Sequence, residues 1–519
     1  MEAENTTAKK RYEQLVTTRH PFLERARRAA ELTIPSLLPR DGHTGSSELP
    51  TPYQSIGARG VNNISSKLLL ALLPANSPFF RLVIDEYTLE QFSGRPDMKA
   101  EVDKALSKIE RSVMSEIEAT AIRVTVGEGL RHLVVGGNIL FFLIPEGGMR
   151  AYRLDRYVCK RDPDGNILDI IALDKISYDA LPEEVREGLT EEDATNKSPD
   201  KTVELYTHVY RDGNKFKVYQ EACGKKIAGS DGSYPVDNCP WLALRLNKID
   251  GEDYGRGHVE EYIGDLISCE GLSRALLEGT VASAKGLVLV NPNGVTDAKD
   301  IEEAPNWAVR EGKADDVTVV QGQKAIDLRV GRETLNEIIE RLSYAFLLNS
   351  AIQRNAERVT AEEIRFMAGE LEDVLGGVYS ILSVEFQLPF VKRLMATMTK
   401  KKKLPPLPKG VVKPAIVTGI EAIGRGHDLN KLTVFLKTLQ EVFGPEALPT
   451  YIHADDAITR LGTSIGVEMD GLVKTKEEQA AAMQQEQQQQ MMETLGPNAI
   501  NAGGKIASES MKQGETPNG

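Results

Sequence analysis

Asp162, Asp164 and Asn166 stand two residues apart, the spacing at which a calcium loop begins to gather oxygen ligands. The rest of such a loop is missing, because Ile167 takes the place of its glycine and Leu173 that of its bidentate acid. Asp162-Pro-Asp-Gly-Asn166 therefore reads as the turn of a hairpin. His258 with Glu260 and Glu261 has the groups for a metal site or an acid/base pair, but helix positions two apart face different ways. These three read as a helix N-terminus, where acids complement the dipole. Phosphate-cradling chemistry is missing too: Gly503-Gly-Lys-Ile506 lacks the upstream glycine and the following hydroxyl of a P-loop. Gly127-Glu-Gly129 and Gly255-Arg-Gly257 are too short for a dinucleotide fingerprint and read as turns. Cys159, Cys223, Cys239 and Cys269 are scattered without C-x-x-C spacing, which predicts neither a zinc knuckle nor a disulfide framework and fits a reducing cytoplasm. No catalytic, metal or cofactor set is expected.

The cations offer a different chemistry. Gln353, Arg354, Asn355 and Arg358 lie in a polar run, Ser350 to Arg365, between two apolar helical patterns. Before it, Leu335, Ile338, Ile339, Leu342 and Phe346 share a helical face, and Thr334 with Glu337 reads as a capping box that starts that helix. After it, Thr360 with Glu363 reads as a second box, opening a helix that carries Ile364, Met367, Leu371, Val374 and Leu375. A helix, a short exposed loop and a fresh helix follow. Arg354 and Arg358 have the charge to meet nucleic-acid phosphate, and equally to pair with Glu357, Glu362 or a neighbouring subunit. Lys400 to Lys403 have the charge to touch nucleic acid too, but at the end of a long helix cations also complement the dipole and solvate a linker containing Pro405, Pro406 and Pro408, and the second reading is preferred.

The elements that carry these residues change period along the chain. Residues 8 to 39 read as amphipathic helices broken at Pro21; Ser55 to Leu73 and Asp97 to Ala121 are helical again. From Asn138 to Leu246 the pattern is strand and hairpin, with turns at Asp162–Asn166 and Asp212-Gly-Asn214. His258 to Lys285 reads as one long helix, Gly286 to Val330 as short strands around Asn291-Pro-Asn-Gly294 and an acidic turn, and Thr360 to about Thr399 as a long helix. Asp428 is placed to cap a last helix with Leu432, Phe435, Leu436, Leu439 and Phe443. Residues Glu477 to Met492 are Gln-rich, and the tail beyond Gly496 has the composition of disorder. The class is α+β, predominantly helical.

At 519 residues, several structural units are expected. The N-terminus has no basic-then-apolar signal pattern, and the most apolar runs stop at Pro74 and Pro145, short of the roughly 20 residues that span a bilayer, so no membrane partner is expected. Net charge is −13, the opposite sign from a protein built to grip phosphate.

Several segments carry a family likeness: Thr51 to Asn63, Leu72 to Leu82, Asp253 to Asp265, Val290 to Val295, Ser350 to Arg365, Leu375 to Leu382 and Gly424 to Leu429. In colinear order over roughly residues 10 to 475 they resemble the portal proteins, or head-to-tail connectors, of short-tailed double-stranded DNA phages; no family pattern is placed after Lys474. The resemblance implies a dodecameric ring at one capsid vertex, through which DNA is packaged and ejected. It implies a wing over 1–256 with its β-rich part at 138–246, stem helices at 257–285 and 331–348, and a clip at 286–330. It further implies a tunnel loop at 349–359 with Gln353, Arg354, Asn355 and Arg358 facing DNA, a long wing helix at 360–400 and a crown at 401–475, followed by the Gln-rich tail. Clip contacts to terminase or a tail adaptor would come from Asn291, Asn293, Asp315 and Asp316. Other implied partners are the internal core, scaffolding and major capsid proteins, with assembly in the host cytoplasm. A terminase or nuclease subunit, or a tail component, is the competing expectation.

Overall fold

The computed structural model describes residues 7–74, 78–84, 96–177, 202–284, 287–305, 308–320, 325–348, 381–406, 412–416 and 434–444, with a few single positions between them. It divides into two units, Met1–Ile423 and Gly424–Gly519. In the first, helix α1 (Ala8–Glu31) starts at Thr7, whose hydroxyl accepts from the Lys10 amide at 3.3 Å. The helix runs on through Pro21, correcting the predicted break. Pro21 lies on the exposed side, while a single buried stripe (Tyr12, Leu15, Arg19, Leu23, Ala26, Ala30) continues past it. That stripe has two seats, which the continuous helix joins. Ala8, Tyr12 and Leu15 pack on a sheet with Val158, Ile171 and Tyr206, and Leu23, Ala26 and Ala30 enter the main helical core.

Helix α2 (Ile56–Leu72) buries Ile56, Val61, Ile64, Leu68 and Leu72. Strand β1 (Phe80–Ile84) alternates buried and exposed residues, and helix α3 (Pro96–Ala119) packs beside it. Helix α4 (Ile122–Gly136) follows a left-handed Ala121. Gly127 and Gly129 lie inside α4 rather than in a turn, which corrects the sequence reading. The glycine at 129 answers a packing need: a Cβ there would stand 2.2 Å from Cζ of Phe141.

Two antiparallel sheets follow. Strands β2 (Asn138–Leu143), β3 (Met149–Tyr152) and β10 (Trp241–Arg245) form one, ordered β10-β2-β3. The other has six strands: β4 (Tyr157–Arg161), β5 (Ile167–Ser177), β6 (Thr202–Asp212), β7 (Lys215–Ala222), β8 (Lys225–Lys226) and β9 (Gly232–Pro235), with β9 on β7. Both predicted hairpins are present, β4–β5 around Asp162–Asn166 and β6–β7 with Asp212 opposite Lys215.

The predicted long helix from His258 is two pieces, α5 (His258–Glu261) and α6 (Ile263–Ala284), separated at Tyr262, whose φ of −109° is not helical. Tyr262 packs its ring against His258 and Phe346, so tertiary contacts decide the bend. The unbroken part is about 33 Å long at 1.5 Å per residue. Strands β11 (Leu287–Val290) and β12 (Val317–Val320) pair antiparallel, enclosing the short α7 (Ala298–Glu302). Helix α8 (Ala325–Ala345) begins well before the predicted box at Thr334. The Thr334 hydroxyl bonds back to the Val330 carbonyl at 3.1 Å, which a threonine inside a helix does readily. The Thr360 box lies outside the described residues. A π-helical turn, Ser383–Gln387, leads into α9 (Leu388–Lys400), and β13 (Val412–Ile416) pairs with β1. In the second unit, residues 434–443 are helical, and left-handed Gly444 closes them with an amide bond to the Gln440 carbonyl at 3.0 Å. The proposed cap at Asp428 lies outside the described residues.

Candidate functional site

Helices α6 and α8 lie antiparallel, as three contacts along them establish. Arg341 pairs with Asp265 at 3.2 Å, Leu276 covers Gly331, and Leu328 covers Gly279. The glycines let the backbones approach: a Cβ at Gly279 would stand 3.0 Å from the Leu328 side chain. Charge on α6 after Asp265 is confined to Glu270, Arg274 and Glu278, spaced four apart and therefore on one stripe. Its first two members have partners in the segment before α2. Glu270 accepts the amides of Tyr53 and Gln54, and Arg274 lies 5.7 Å from the Tyr53 ring besides pairing with Glu278 at 2.8 Å. Beyond Asp265 the other faces of α6 carry no charge and mix apolar residues with Ser268, Ser273, Thr280 and Ser283, yet Leu277 is 55% and Val281 50% exposed. A helix with so narrow a charged stripe leaves apolar side chains to be covered by a neighbour.

The C-terminal end of α8 is held from outside. His258 is buried, and desolvation pushes its pKa below the usual imidazole range. The neutral ring donates from Nε2 to the Ala345 carbonyl at 3.0 Å, so the structural reading of His258 holds; Glu261 is 3.9 Å from Nδ1. Asn63 of α2 donates from Nδ2 to the carbonyls of Phe346 (2.9 Å) and Leu347 (2.8 Å). Sequence reasoning quoted Asn63 within a motif but gave it no task, since its partners are more than 280 residues away.

In the β11–β12 region the four predicted contact residues separate into two kinds. The buried carboxylate of Asp316 turns inward and accepts the Val295 amide at 2.8 Å, while its own carbonyl accepts the Asn291 amide at 2.8 Å. The Asn291 side chain accepts the Asn293 amide at 3.1 Å. Gly294 makes room for the carboxylate, because a Cβ there would lie 2.4 Å from Asp316 Cγ. Asp316 thus organises the turn, whereas Asn291, Asn293 and Asp315 are exposed on it. Val295 and Val309 add apolar surface nearby in the chain, at 87% and 96% exposure.

Gln353, Arg354, Asn355 and Arg358 lie outside the described residues, as does the rest of 349–359. The lysine run is engaged within the fold, Lys401 with the Glu146 carbonyl and Lys403 with the Glu116 carboxylate, both at 2.6 Å, in keeping with a helix end. At the calcium-like run, Asp162 accepts the backbone and side-chain amides of Asn166 at 2.7 and 3.0 Å, with Gly165 left-handed at φ +86°. Its oxygens are spent on the hairpin turn. Cys159, Cys223, Cys239 and Cys269 are all free thiols. Among the described residues no helix is long and apolar enough to cross a membrane, and no cluster of metal-ligating side chains occurs.

Similarity to known proteins covers nearly all of this fold. The family model for the bacteriophage head to tail connecting protein matches residues 5–473. The chain is 43% identical over 478 residues to the portal protein of Escherichia phage T7, covering 91% of this chain and 89% of that one. It is 43% identical over 477 residues to the portal protein of Enterobacteria phage T3, with coverage of 91% and 89%. Against the portal protein of Enterobacteria phage SP6 it is 29% identical over 508 residues, 97% of each chain. The chain belongs to the bacteriophage head-to-tail connecting protein family, and with it to the phage portal proteins.

Proposed function

We propose that twelve copies of this chain close into a ring whose channel carries double-stranded DNA into the capsid during packaging and out again at ejection. Members of this family are structural connectors of the virion rather than enzymes, so the expectation of a terminase or nuclease subunit is set aside. The observation that carries the ring is α6, whose Leu277 and Val281 are half exposed in one chain although after Asp265 the helix carries charge on one stripe only. A head-to-tail contact that buries such faces must close on itself or run on as a filament.

In this reading residues 257–285, which carry α5 and α6, and 331–348, which carry most of α8, form the stem, residues 286–330 the clip, 1–256 the wing, 349–359 the loop that faces DNA, 360–400 a further wing helix, and 401–475 the crown. Asn291, Asn293 and Asp315, exposed on the turn that the buried Asp316 holds, meet the terminase and later the tail adaptor. Internal core, scaffolding and major capsid proteins surround the wing. The acidity suits a conduit. Twelve copies give a formal charge of about 12 × −13, roughly −156, and a like-charged wall discourages the phosphate contacts that make proteins hold DNA. Arg354 and Arg358 are then isolated contact points. Negative-stain microscopy of the purified chain tests the reading: perforated rings are expected, and a chain that stays monomeric or forms solid rods at all concentrations overturns it.

A further inference from the structure

Thr51 to Asn63 contains no group that does chemistry, yet its last residue reaches the end of a helix far away in sequence. An α-helix leaves its final carbonyls without partners inside the helix. At the end of α8 three successive carbonyls find donors from two other elements: Ala345 from His258, and Phe346 and Leu347 from the one amide of Asn63. Lys67 Nζ stands 3.5 Å from the Leu347 carbonyl. Gly60, Asn63 and Lys67 recur at i, i+3 and i+7, so one face of α2 does this work. Gly60 sets the distance, since a Cβ there would lie 2.3 Å from Cγ of the buried Phe346.

Leu347 has a φ of +54°, in the left-handed region that usually takes glycine at a helix end. The amide of Leu348 bonds back to the Ser343 carbonyl at 2.8 Å and that of Leu347 to Tyr344 at 3.1 Å, the pairing that a left-handed residue completes. A leucine adopts this conformation at a cost in free energy that glycine does not meet. Asn63 offsets that cost, because both carbonyls face one amide nitrogen when the chain turns in this way.

We propose that Asn63 is a positioning residue: it holds Leu347 left-handed and so fixes the direction in which the chain leaves α8 for residues 349–359. The functional part rests on the reading of 349–359 as the loop that faces DNA. Asn63→Asp keeps size and shape but removes the donor. Full-length rings carrying it are compared with the original by hydrogen exchange over residues 342–348 and, in assembled particles, by retention of packaged DNA. Exchange at the end of α8 is expected to quicken about tenfold or more, as loss of a buried bond allows, with the Ile338 turn unchanged, and DNA retention is expected to fall. Adding Leu347→Gly should restore slow exchange, since glycine turns left-handed without help. Unchanged exchange in Asn63→Asp overturns the proposal, and fast exchange that persists in the double variant overturns the role given to the Leu347 backbone. Fast exchange with normal DNA retention leaves the clamp standing and removes the DNA-facing reading of the loop. If Asn63→Asp gives no rings, Asn63→Ser, too short to reach the carbonyls, carries the same comparison.

Discussion

Truncating Leu277 and Val281 together to alanine separates ring formation from folding. Burying a leucine or valine side chain fully is worth about 1.5–3 kcal/mol. With 55% of Leu277 and 50% of Val281 still exposed in the single chain, each has roughly 1 kcal/mol left to gain from a neighbouring copy. The double variant therefore loses about 2 kcal/mol at every subunit contact, close to a thirtyfold weaker association per contact. Because each subunit makes two contacts in a closed ring, the deficit compounds. The fold of one chain should lose no more than about 2 kcal/mol, since each side chain is roughly half buried there and alanine's preference for the helix offsets part of the loss. Sedimentation velocity over a concentration series, with thermal unfolding alongside, reads both. At concentrations where the original chain is fully ring, the variant should sediment mainly as smaller species, while at dilutions where both are single chains their Tm values should lie within a few degrees of each other. An unchanged ring fraction refutes the assignment of these side chains to the contact, and a large fall in Tm of the single chain shows that they belong to its core.

His132 gives a pH dependence. Burial, its largest influence, depresses its pKa from 6.5 to about 4. Its stabilising share is complete above pH 6.5 and is lost as pH falls towards 4, about 3 kcal/mol in all at 1.36 kcal/mol per unit; His132→Leu should flatten the fall of Tm between pH 6.5 and 4. Gly129→Ala pushes a methyl into the Phe141 ring and should cost about 1–3 kcal/mol, read as a lower urea midpoint with unchanged slope. Removing residues 292–316 should leave soluble rings that bind neither terminase nor tail adaptor in a pull-down, and normal binding excludes the clip assignment. Arg354→Ala with Arg358→Ala should reduce retention of packaged DNA more than the packaging rate, and the reverse order counts against isolated contact points.

Legibility in the sequence followed the range of the signals. The hairpins at Asp162–Asn166 and Asp212–Asn214 were readable because a few adjacent residues satisfy the turn by themselves. Pro21, Thr334 and the glycines of α4 misled for a shared reason: local preference was overruled by partners the sequence does not order. Pro21 is carried through by a buried stripe with seats on both sides of it, and Gly129 exists for Phe141. Thr and Glu three apart occur inside helices as well as at their starts, and at Thr334 the helix already running from Ala325 and the hydroxyl's bond to Val330 show the first case. At the candidate site an acidic turn was readable, but the inward carboxylate of Asp316 depends on bonds across the loop to residue 295. The role of Asn63 was out of reach of periodicity, since donor and acceptors meet only in the folded chain.

The long reach of the fold's closing contacts sets a clock on its biosynthesis. The amide of Ala8 ends on Glu221, 213 residues later, and the Leu72 carbonyl waits for Gln387, 315 residues on. Strand β1 finds its partner only in β13. At about 5–20 residues per second, a ribosome spends roughly 16 to 60 s between making Leu72 and making its partner. Through that interval β1 lacks the strand it pairs with in the finished fold. A nascent chain is thus a poor building block and an aggregation hazard, and rings must draw on released, finished subunits. Faster translation or slower subunit capture should shift yield towards aggregates before it alters the geometry of any ring that forms.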